Sequence, residues 1–203
     1  MASWCTDRSI RILIMRAEID FQFKVIVFII VSLVILWFSR TSLRDFRSHG
    51  FYRFFAWEAI LVLILANFTY WFNDPFRFQQ LVSWSLLVVS LVMVICGVYL
   101  LRVVGKPDRK RNDPSLIGIE KTTQLVTVGV YRYIRHPLYS SLLFLAWGAF
   151  FKHISWVSIL SVGLATFFLI ATARREEIEN IRFFGPAYQS YMKRTRMFIP
   201  FLF

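Results

Sequence analysis

The sequence predicts an all-α polytopic membrane protein with about five transmembrane helices. Hydrophobic residues make up 57% of the 203 residues, 22 of which are phenylalanine, and the mean hydropathy is +0.56. A water-soluble domain of this length contains a much smaller apolar fraction. Long apolar runs also alternate with short charged stretches, which is the pattern of helices that cross a bilayer.

Five apolar segments account for the predicted helices. They cover residues 21–38, 54–72, 81–101, 138–151 and 154–173. A helix rises about 1.5 Å per residue and needs roughly 20 residues to cross the hydrocarbon, so four of the segments are long enough to span. The fourth segment has only 14 residues. It is therefore expected to tilt, to begin below the headgroups, or to extend backwards.

Individual residues refine these elements in chain order. In the second segment, Glu58 is close enough to the interface to snorkel, and Asn67 is expected to pair with another helix. Pro137 suits the first turn of the fourth helix, where its missing N–H costs nothing. The connection at Lys152 and His153 is short, which predicts an antiparallel hairpin of the last two spans.

The distribution of positive charge predicts the orientation. With the N-terminus outside, the cytoplasmic segments hold 18 of the 24 lysines and arginines. The positive-inside rule then places the C-terminus and the last third of the chain at the cytoplasmic side. This membrane is the plasma or inner membrane in a prokaryote and the endoplasmic reticulum in a eukaryote.

The chain is expected to form one membrane domain over residues 1–203. Residues 1–101 hold three spans with few polar groups, and residues 102–203 combine polar loops, the hairpin and an amphipathic tail. The net charge of +12 lies on loops beside the spans, which favours anionic lipid headgroups over nucleic acid as the partner. The spacing of Cys5, Cys96 and the three histidines predicts neither a disulfide nor a metal site.

A polar and aromatic run enters the fourth segment directly. It reads Gly129-Val-Tyr-Arg-Tyr-Ile-Arg-His-Pro-Leu-Tyr139, and Glu176-Glu177 follow the next apolar segment. Charged groups at a bilayer boundary lose solvation, so their concentration here predicts a site for a charged ligand. The C-terminal third is therefore the candidate active region.

These residues, with Leu125-Val-Thr, Phe184-Gly185 and Tyr188 in the same order, resemble the isoprenylcysteine carboxyl methyltransferases, which are integral membrane enzymes related to phospholipid methyltransferases. The resemblance covers about residues 122–200. It implies an enzyme that takes S-adenosylmethionine from the cytoplasm and a lipophilic or lipidated acceptor from between its helices. The expected reaction is carboxyl O-methylation of an isoprenylcysteine-like substrate.

The resemblance also implies roles for single residues. The adenosine pocket is expected at Gly129, Val130 and Tyr131. The methionine part of the cofactor is expected at Arg135, His136, Pro137, Tyr139, Glu176 and Glu177. The residue types suit this ligand, since a carboxylate can bind its ammonium group, and His136, Tyr139 and the first N–H groups of the fourth helix can bind its carboxylate. Adjacent helical residues point about 100° apart, so only one of the two glutamates should face the ligand.

Two positions depart from the family pattern. Relatives carry an arginine that orients the acceptor at the position of Thr172, so Arg174 and Arg175 are the candidate catalytic residues here. They lie roughly 200° and 300° further around the helix than Thr172, so their side chains are expected to point in other directions than the family arginine does. Ser141 replaces a usual glycine and is small enough to be tolerated.

Three other functions remain open. A phospholipid amine N-methyltransferase shares the cofactor and the paired glutamates but acts on a neutral amine. An NADPH-dependent enzyme similar to the sterol reductases has a related C-terminal stretch, although such proteins are about twice as long. A membrane scaffold without catalysis would bind neither cofactor. The sequence does not indicate the oligomeric state.

Overall fold

A computed structural model describes residues 2–106 and 122–200, and within the first helix the side chains of Met15 and of residues 18 onward. The described residues form helices and no strand, apart from one isolated parallel bridge between Ile134 and Arg196. The α-helices are α1 Ala2–Ser39, α2 His49–Asn67, α3 Phe78–Val103, α4 Pro137–Phe150, α5 Trp156–Phe184 and α6 Pro186–Arg194. Single turns of 3-10 helix lie at Ser42–Arg44, Phe68–Tyr70 and Gly129–Arg132.

Four of these helices are long and apolar enough to cross a membrane: α1 from Glu18 onward, α2 with the turn that follows it, α3 and α5. The fourth predicted segment is the shorter apolar helix α4, which has 14 residues. The structure therefore confirms an all-α polytopic membrane protein. It also places Pro137 at the first position of α4, as the sequence predicts.

Two helices extend well beyond the apolar segments that predict them. α2 begins at His49, five residues earlier than expected, because the Ser48 side chain caps it by accepting from the Phe51 N–H. α5 continues from the end of its apolar segment at residue 173 to Phe184. Both extensions carry charged residues, and they meet at the end of the bundle where α4 begins.

The core lies between α2, α4 and α5, and small residues dominate it. Its fully buried alanines are Ala56, Ala146, Ala149, Ala165 and Ala173. Small side chains let helix backbones approach closely, and close approach is the main source of packing energy between helices in lipid. The functional end of the molecule therefore rests on a tightly packed three-helix unit.

Buried polar side chains connect the helices. As predicted, Asn67 pairs between helices: its Nδ2 donates to the Ala149 carbonyl over 2.8 Å, and its Oδ1 accepts from Ser158 over 3.0 Å. Glu58 accepts from Ser32 of α1 over 2.6 Å. The Ser141 carbonyl accepts from Ser90 of α3, so the residue that replaces the expected glycine belongs to a helix contact.

Lys152 closes the bundle at the end opposite the start of α4. Its side chain is buried, and its Nζ lies 3.5 Å from the ring centroid of Trp84 and 5.4 Å from that of Trp71. The same atom donates to Gln80 Oε1 over 3.1 Å. Burial lowers the pKa of Lys152 to about 8, while the two ring faces and the amide oxygen favour the ammonium form.

This environment predicts a pH-dependent stability. Between about pH 8 and the ordinary lysine pKa of 10.5, the unfolded chain binds more protons than the folded chain, so the free energy of unfolding contributed by Lys152 rises with pH. The gain is about 1 to 3 kcal/mol. Thermal unfolding in detergent at pH 7.5 and pH 10 should show wild type gaining stability relative to Lys152→Met. Equal shifts of the unfolding midpoint in wild type and Lys152→Met between the two pH values would contradict this prediction.

Candidate active site

A cleft lies at the end of the bundle where α4 begins. It contains about 580 Å³ of empty space, part of which is open to solvent. Its walls come from the end of α3, the turn at Gly129–Arg132, the start of α4, the end of α5, and α6. Among the described residues, the polar and aromatic lining consists of Thr122, Tyr131, Arg135, His136, Tyr139, Glu176, Asn180, Phe184, Tyr188 and Tyr191.

Glu176 presents its carboxylate to this cleft. Its Oε2 accepts from the Tyr139 hydroxyl over 2.5 Å, and its Oε1 accepts from Asn180 Nδ2 over 3.4 Å. The Nδ1 atom of His136 lies 3.9 Å from the same Oε1. A carboxylate held this way keeps acceptor capacity for a cationic ligand group, because each carboxylate oxygen has two lone pairs.

His136 lies between the two glutamates. It is the residue that precedes Pro137 at the start of α4, and its backbone N–H donates to the Met197 carbonyl. Its ring is almost fully buried, with Nε2 3.4 Å from Glu177 Oε1. The imidazole therefore lies between two carboxylates, with Nδ1 facing Glu176 and Nε2 facing Glu177.

Glu177 has a different role from Glu176. It does not line the cleft, and its Oε1 accepts from Arg135 Nε over 2.6 Å. The same arginine donates through its terminal nitrogen to the carbonyls of Thr195 at 2.5 Å and Met192 at 3.3 Å. Arg135 therefore fastens the end of α6 to α5 and forms part of the cleft wall.

Two tyrosines from α6 complete the wall. The Tyr191 hydroxyl donates to the Tyr131 carbonyl over 2.6 Å, which ties α6 to the turn before α4. Burial and the nearby charges of Glu176 and Glu177 raise the pKa of Tyr188. Tyr188 therefore remains a neutral phenol at the cleft.

Gly129 and Val130 occupy positions behind the cleft surface. The lining includes Tyr131 but neither of these two residues. Gly129 has a φ of +60°, and a Cβ there would come within 2.7 Å of the Leu100 side chain, so the turn needs glycine. Val130 packs against the small cluster of Leu101, Val126 and Tyr131. Both residues thus position Tyr131 in the wall of the cleft.

The two arginines expected to orient an acceptor lie away from the cleft. Arg174 is exposed, and the Arg175 guanidinium lies 5.7 Å from the Tyr52 ring centroid on α2. Neither lines the cleft. Thr172 is fully buried, with its hydroxyl bonded to the Phe168 carbonyl. The 200° and 300° rotations from Thr172 explain this placement, and the structure does not support the predicted role of Arg174 and Arg175.

α2 brings two charged residues that the sequence reasoning missed. The backbone N–H of His49 donates to Glu179 Oε1 over 3.1 Å, and its ring Nδ1 lies 2.5 Å from Oε2 of the same glutamate. Arg53, one turn further along α2, is also buried. Their signal was present in the sequence, since charged residues at the end of a membrane helix are functional candidates by default.

Comparison with known proteins gives the family. A model described as phospholipid methyltransferase matches residues 78–187, more than half of the chain. A protein-S-isoprenylcysteine O-methyltransferase of Dictyostelium discoideum is 30% identical over 145 residues, which are 69% of this chain and 60% of the relative. The human protein-S-isoprenylcysteine O-methyltransferase is 32% identical over 60% of this chain and 43% of its own length.

A methanethiol S-methyltransferase of Crocosphaera subtropica is 22% identical over 61% of this chain and 48% of its own length. No solved structure matches the chain significantly. The chain spans 60% or less of the length of these relatives. The matched region contains the turn at Gly129, the start of α4 and both glutamates, which confirms the resemblance found in the sequence. On the match over residues 78–187, the chain belongs to the phospholipid methyltransferase family.

Proposed function

We propose that the chain is an S-adenosylmethionine-dependent methyltransferase of the membrane, and that it methylates the carboxyl group of a lipophilic acceptor such as an isoprenylcysteine. The observation that carries the proposal is the Glu176 carboxylate, held by Tyr139 beside the buried His136 ring, in a cleft at the boundary of the bundle. The isoprenylcysteine O-methyltransferases among its relatives support the choice of acceptor. The excess of lysine and arginine supports a cytoplasmic cleft.

The residues of the cleft fit the charges of the methyl donor. Its ammonium group suits the Glu176 carboxylate, because a charge-assisted hydrogen bond is strong where water is excluded. Its carboxylate suits the His136 ring and the start of α4, where the helix dipole favours an anion. Tyr188 and Phe184 offer aromatic surface to the remaining part of the ligand.

The proposed reaction needs no general base. The bond between the sulfonium sulfur and the methyl carbon breaks as a bond from the acceptor oxygen to that carbon forms, which yields an ester and S-adenosylhomocysteine. A carboxylate is already ionised at neutral pH, so the protein has only to align the two reactants and exclude water. Arg135 serves this alignment indirectly, because it fixes α6 and the segment after it against α5.

A carboxylate acceptor requires a cation. Arg53 does not itself line the cleft, and we assign it to the acceptor because it is buried on α2 at the level of Glu176. α2 and α5 run antiparallel, since His49 meets Glu179 near one end and Asn67 meets Ser158 near the other. Arg53 lies one turn along α2 from His49, and Glu176 lies one turn back along α5 from Glu179. The two residues therefore share a level of the bundle and are electrostatic neighbours.

Arg53 is buried, whereas the other arginines near the level of Glu176 are not. Among the described residues, the buried lysines and arginines are Arg53 and Lys152, and Lys152 lies at the opposite end of the bundle. Arg135 is committed to Glu177, and Arg174 is exposed. Burying a charged arginine inside a helix bundle costs free energy, so its presence there favours a functional role.

Replacing Arg53 with glutamine should therefore raise the KM for a carboxylate acceptor about tenfold or more, since a hydrogen-bonded charge contributes roughly 1.5 to 3 kcal/mol. The affinity for S-adenosylhomocysteine should change less, and Arg53→Lys should retain part of the acceptor affinity. Steady-state kinetics with a farnesylcysteine analogue measure the first quantity, and Arg174→Gln is the matched control. An acceptor KM that is equal in Arg53→Gln and wild type would show that Arg53 has no such role.

Amine N-methylation is the second candidate, because the family model is that of phospholipid methyltransferases and Thr172 replaces the expected arginine. An assay with methyl-labelled S-adenosylmethionine distinguishes the two. Purified protein is supplied separately with a farnesylcysteine carboxylate and with phosphatidylethanolamine. We expect label in the first lipid that is released as methanol by base. Base-stable label in phosphatidylethanolamine would instead establish N-methylation, and label in neither lipid would remove both acceptors.

A further inference from the structure

We propose that a second site, separate from the cleft, binds the phosphate group of an anionic phospholipid. It is a hollow with a cavity volume of about 290 Å³, which we call the basic hollow. Its lining consists of Arg132, Tyr133, Lys193, Arg194, Thr195 and Arg196. The proposal does not depend on the identity of the methyl acceptor.

The chain builds this hollow from two segments that are distant in sequence. Ile134 and Arg196 form a parallel bridge. The Arg196 N–H donates to the Tyr133 carbonyl over 2.9 Å, and the Arg135 N–H donates to the Arg196 carbonyl over 2.8 Å. These backbone bonds hold the side chains of the turn before α4 beside those at the end of α6. The fold therefore brings Arg132 beside three cations that are neighbours in sequence, Lys193, Arg194 and Arg196.

The charge of the hollow is unbalanced. Four of its six lining residues are lysine or arginine, and among the described residues none of the lining is acidic. The Glu177 carboxylate accepts from Arg135, which precedes α4. Like charges held together repel, and a phosphate relieves the repulsion while accepting several hydrogen bonds from arginine.

A lipid headgroup is the expected source of that phosphate. The hollow adjoins the start of the apolar helix α4, at the proposed cytoplasmic boundary of the bilayer. The ring of Tyr133 is 49% exposed at its rim, as is common for aromatic residues at the interface. Anionic lipids concentrate at this leaflet and attract juxtamembrane basic groups. A soluble phosphate lacks the acyl chains that would keep it beside α4.

Occupation of the hollow should also stabilise the cleft. The segment that carries Arg196 continues to Met197, whose carbonyl accepts from the His136 N–H over 3.2 Å. Thr195 provides a carbonyl to Arg135. A bound phosphate would neutralise the cations of this segment. It would therefore favour the arrangement in which the Met197 and Thr195 carbonyls hold His136 and Arg135. This coupling rests on the proposed function, whereas lipid binding itself does not.

The test uses the full chain in nanodiscs of phosphatidylcholine with and without phosphatidylglycerol. Native mass spectrometry of the released protein counts retained phosphatidylglycerol, and titration gives its affinity. The triple change Lys193→Gln, Arg194→Gln and Arg196→Gln should weaken the affinity at least about tenfold. Arg194→Lys with Arg196→Lys should retain most of it. The matched control removes three exposed charges elsewhere, with Arg40→Gln, Arg44→Gln and Arg47→Gln, and should bind as wild type does.

Equal phosphatidylglycerol affinity in the glutamine triple variant and wild type would overturn the proposal. Equal weakening in the control variant would also overturn it, because the effect would then follow net charge alone. If millimolar inorganic phosphate raised the thermal unfolding midpoint of wild type, and wild type showed no preference for phosphatidylglycerol, the hollow would instead bind a free anion. Thermal unfolding midpoints within a few degrees of wild type show that the variants fold. Binding of S-adenosylhomocysteine, measured separately, reports on the proposed function.

Discussion

Glu176→Gln is expected to weaken the binding of S-adenosylhomocysteine about ten- to hundredfold, because it removes a charge-assisted hydrogen bond to the ligand ammonium. The amide keeps the size of the side chain and can still accept from Tyr139. The fold should therefore survive the change. Calorimetry on detergent-purified protein measures the affinity directly.

Glu179→Gln is the matched control for this prediction. Glu179 is on the same helix one turn later, pairs with His49, and does not line the cleft. Its replacement should change the ligand affinity much less than that of Glu176. Glu177→Gln gives a second comparison, since Glu177 accepts a hydrogen bond from Arg135 and does not line the cleft. If Glu177→Gln alone abolished binding, the assignment of the two glutamates would have to be exchanged.

Arg135→Gln is expected to have the largest effect on stability. It leaves the Glu177 carboxylate buried without its cation and removes the donors to the carbonyls of Met192 and Thr195. Both side chains of the ion pair are only 10% exposed, and breaking a buried pair costs about 3 to 5 kcal/mol. Loss of the tie to α6 should also weaken ligand binding, because Tyr188 and Tyr191 form part of the cleft.

Thermal unfolding in detergent measures this cost. The double variant Arg135→Gln with Glu177→Gln should be more stable than Arg135→Gln alone, since no charge then remains unpaired. Arg174 is an exposed arginine on α5, three residues before Glu177, and Arg174→Gln should lie within about 0.5 kcal/mol of wild type. A single Arg135 variant as stable as the Arg174 variant would show that the ion pair contributes little.

The helices and their order were predictable because membrane helices have a strong local signal. Apolar runs located all five segments, and Pro137 located the start of α4. The ends of α2 and α5 were not predictable from hydropathy, since the helices continue through charged residues. Those residues remain helical because they find partners across the bundle, such as Glu179 with His49, 130 positions apart.

The site was predictable in its residue types and less so in its geometry. Rotation by 100° per residue predicted that one glutamate faces the cleft, and the structure places Glu176 there. The same rule predicted that Arg174 and Arg175 point away from the direction of Thr172. Arg174 is exposed and Arg175 lies beside Tyr52. The contribution of α2 depends on how helices pack against each other. Nothing in the spacing of Arg53 predicted that it would be level with Glu176.

Calorimetry with S-adenosylhomocysteine and, separately, NADPH measures which ligand the cleft binds. We expect purified wild-type protein to bind the adenosyl ligand, NADPH to give no binding heat, and His136→Ala to weaken the binding as Glu176→Gln does. Binding of NADPH without the adenosyl ligand would contradict the proposed function and favour a reductase. An absence of binding heat for both ligands would equally contradict it, because a charged sulfonium donor could not then be held between Glu176 and His136.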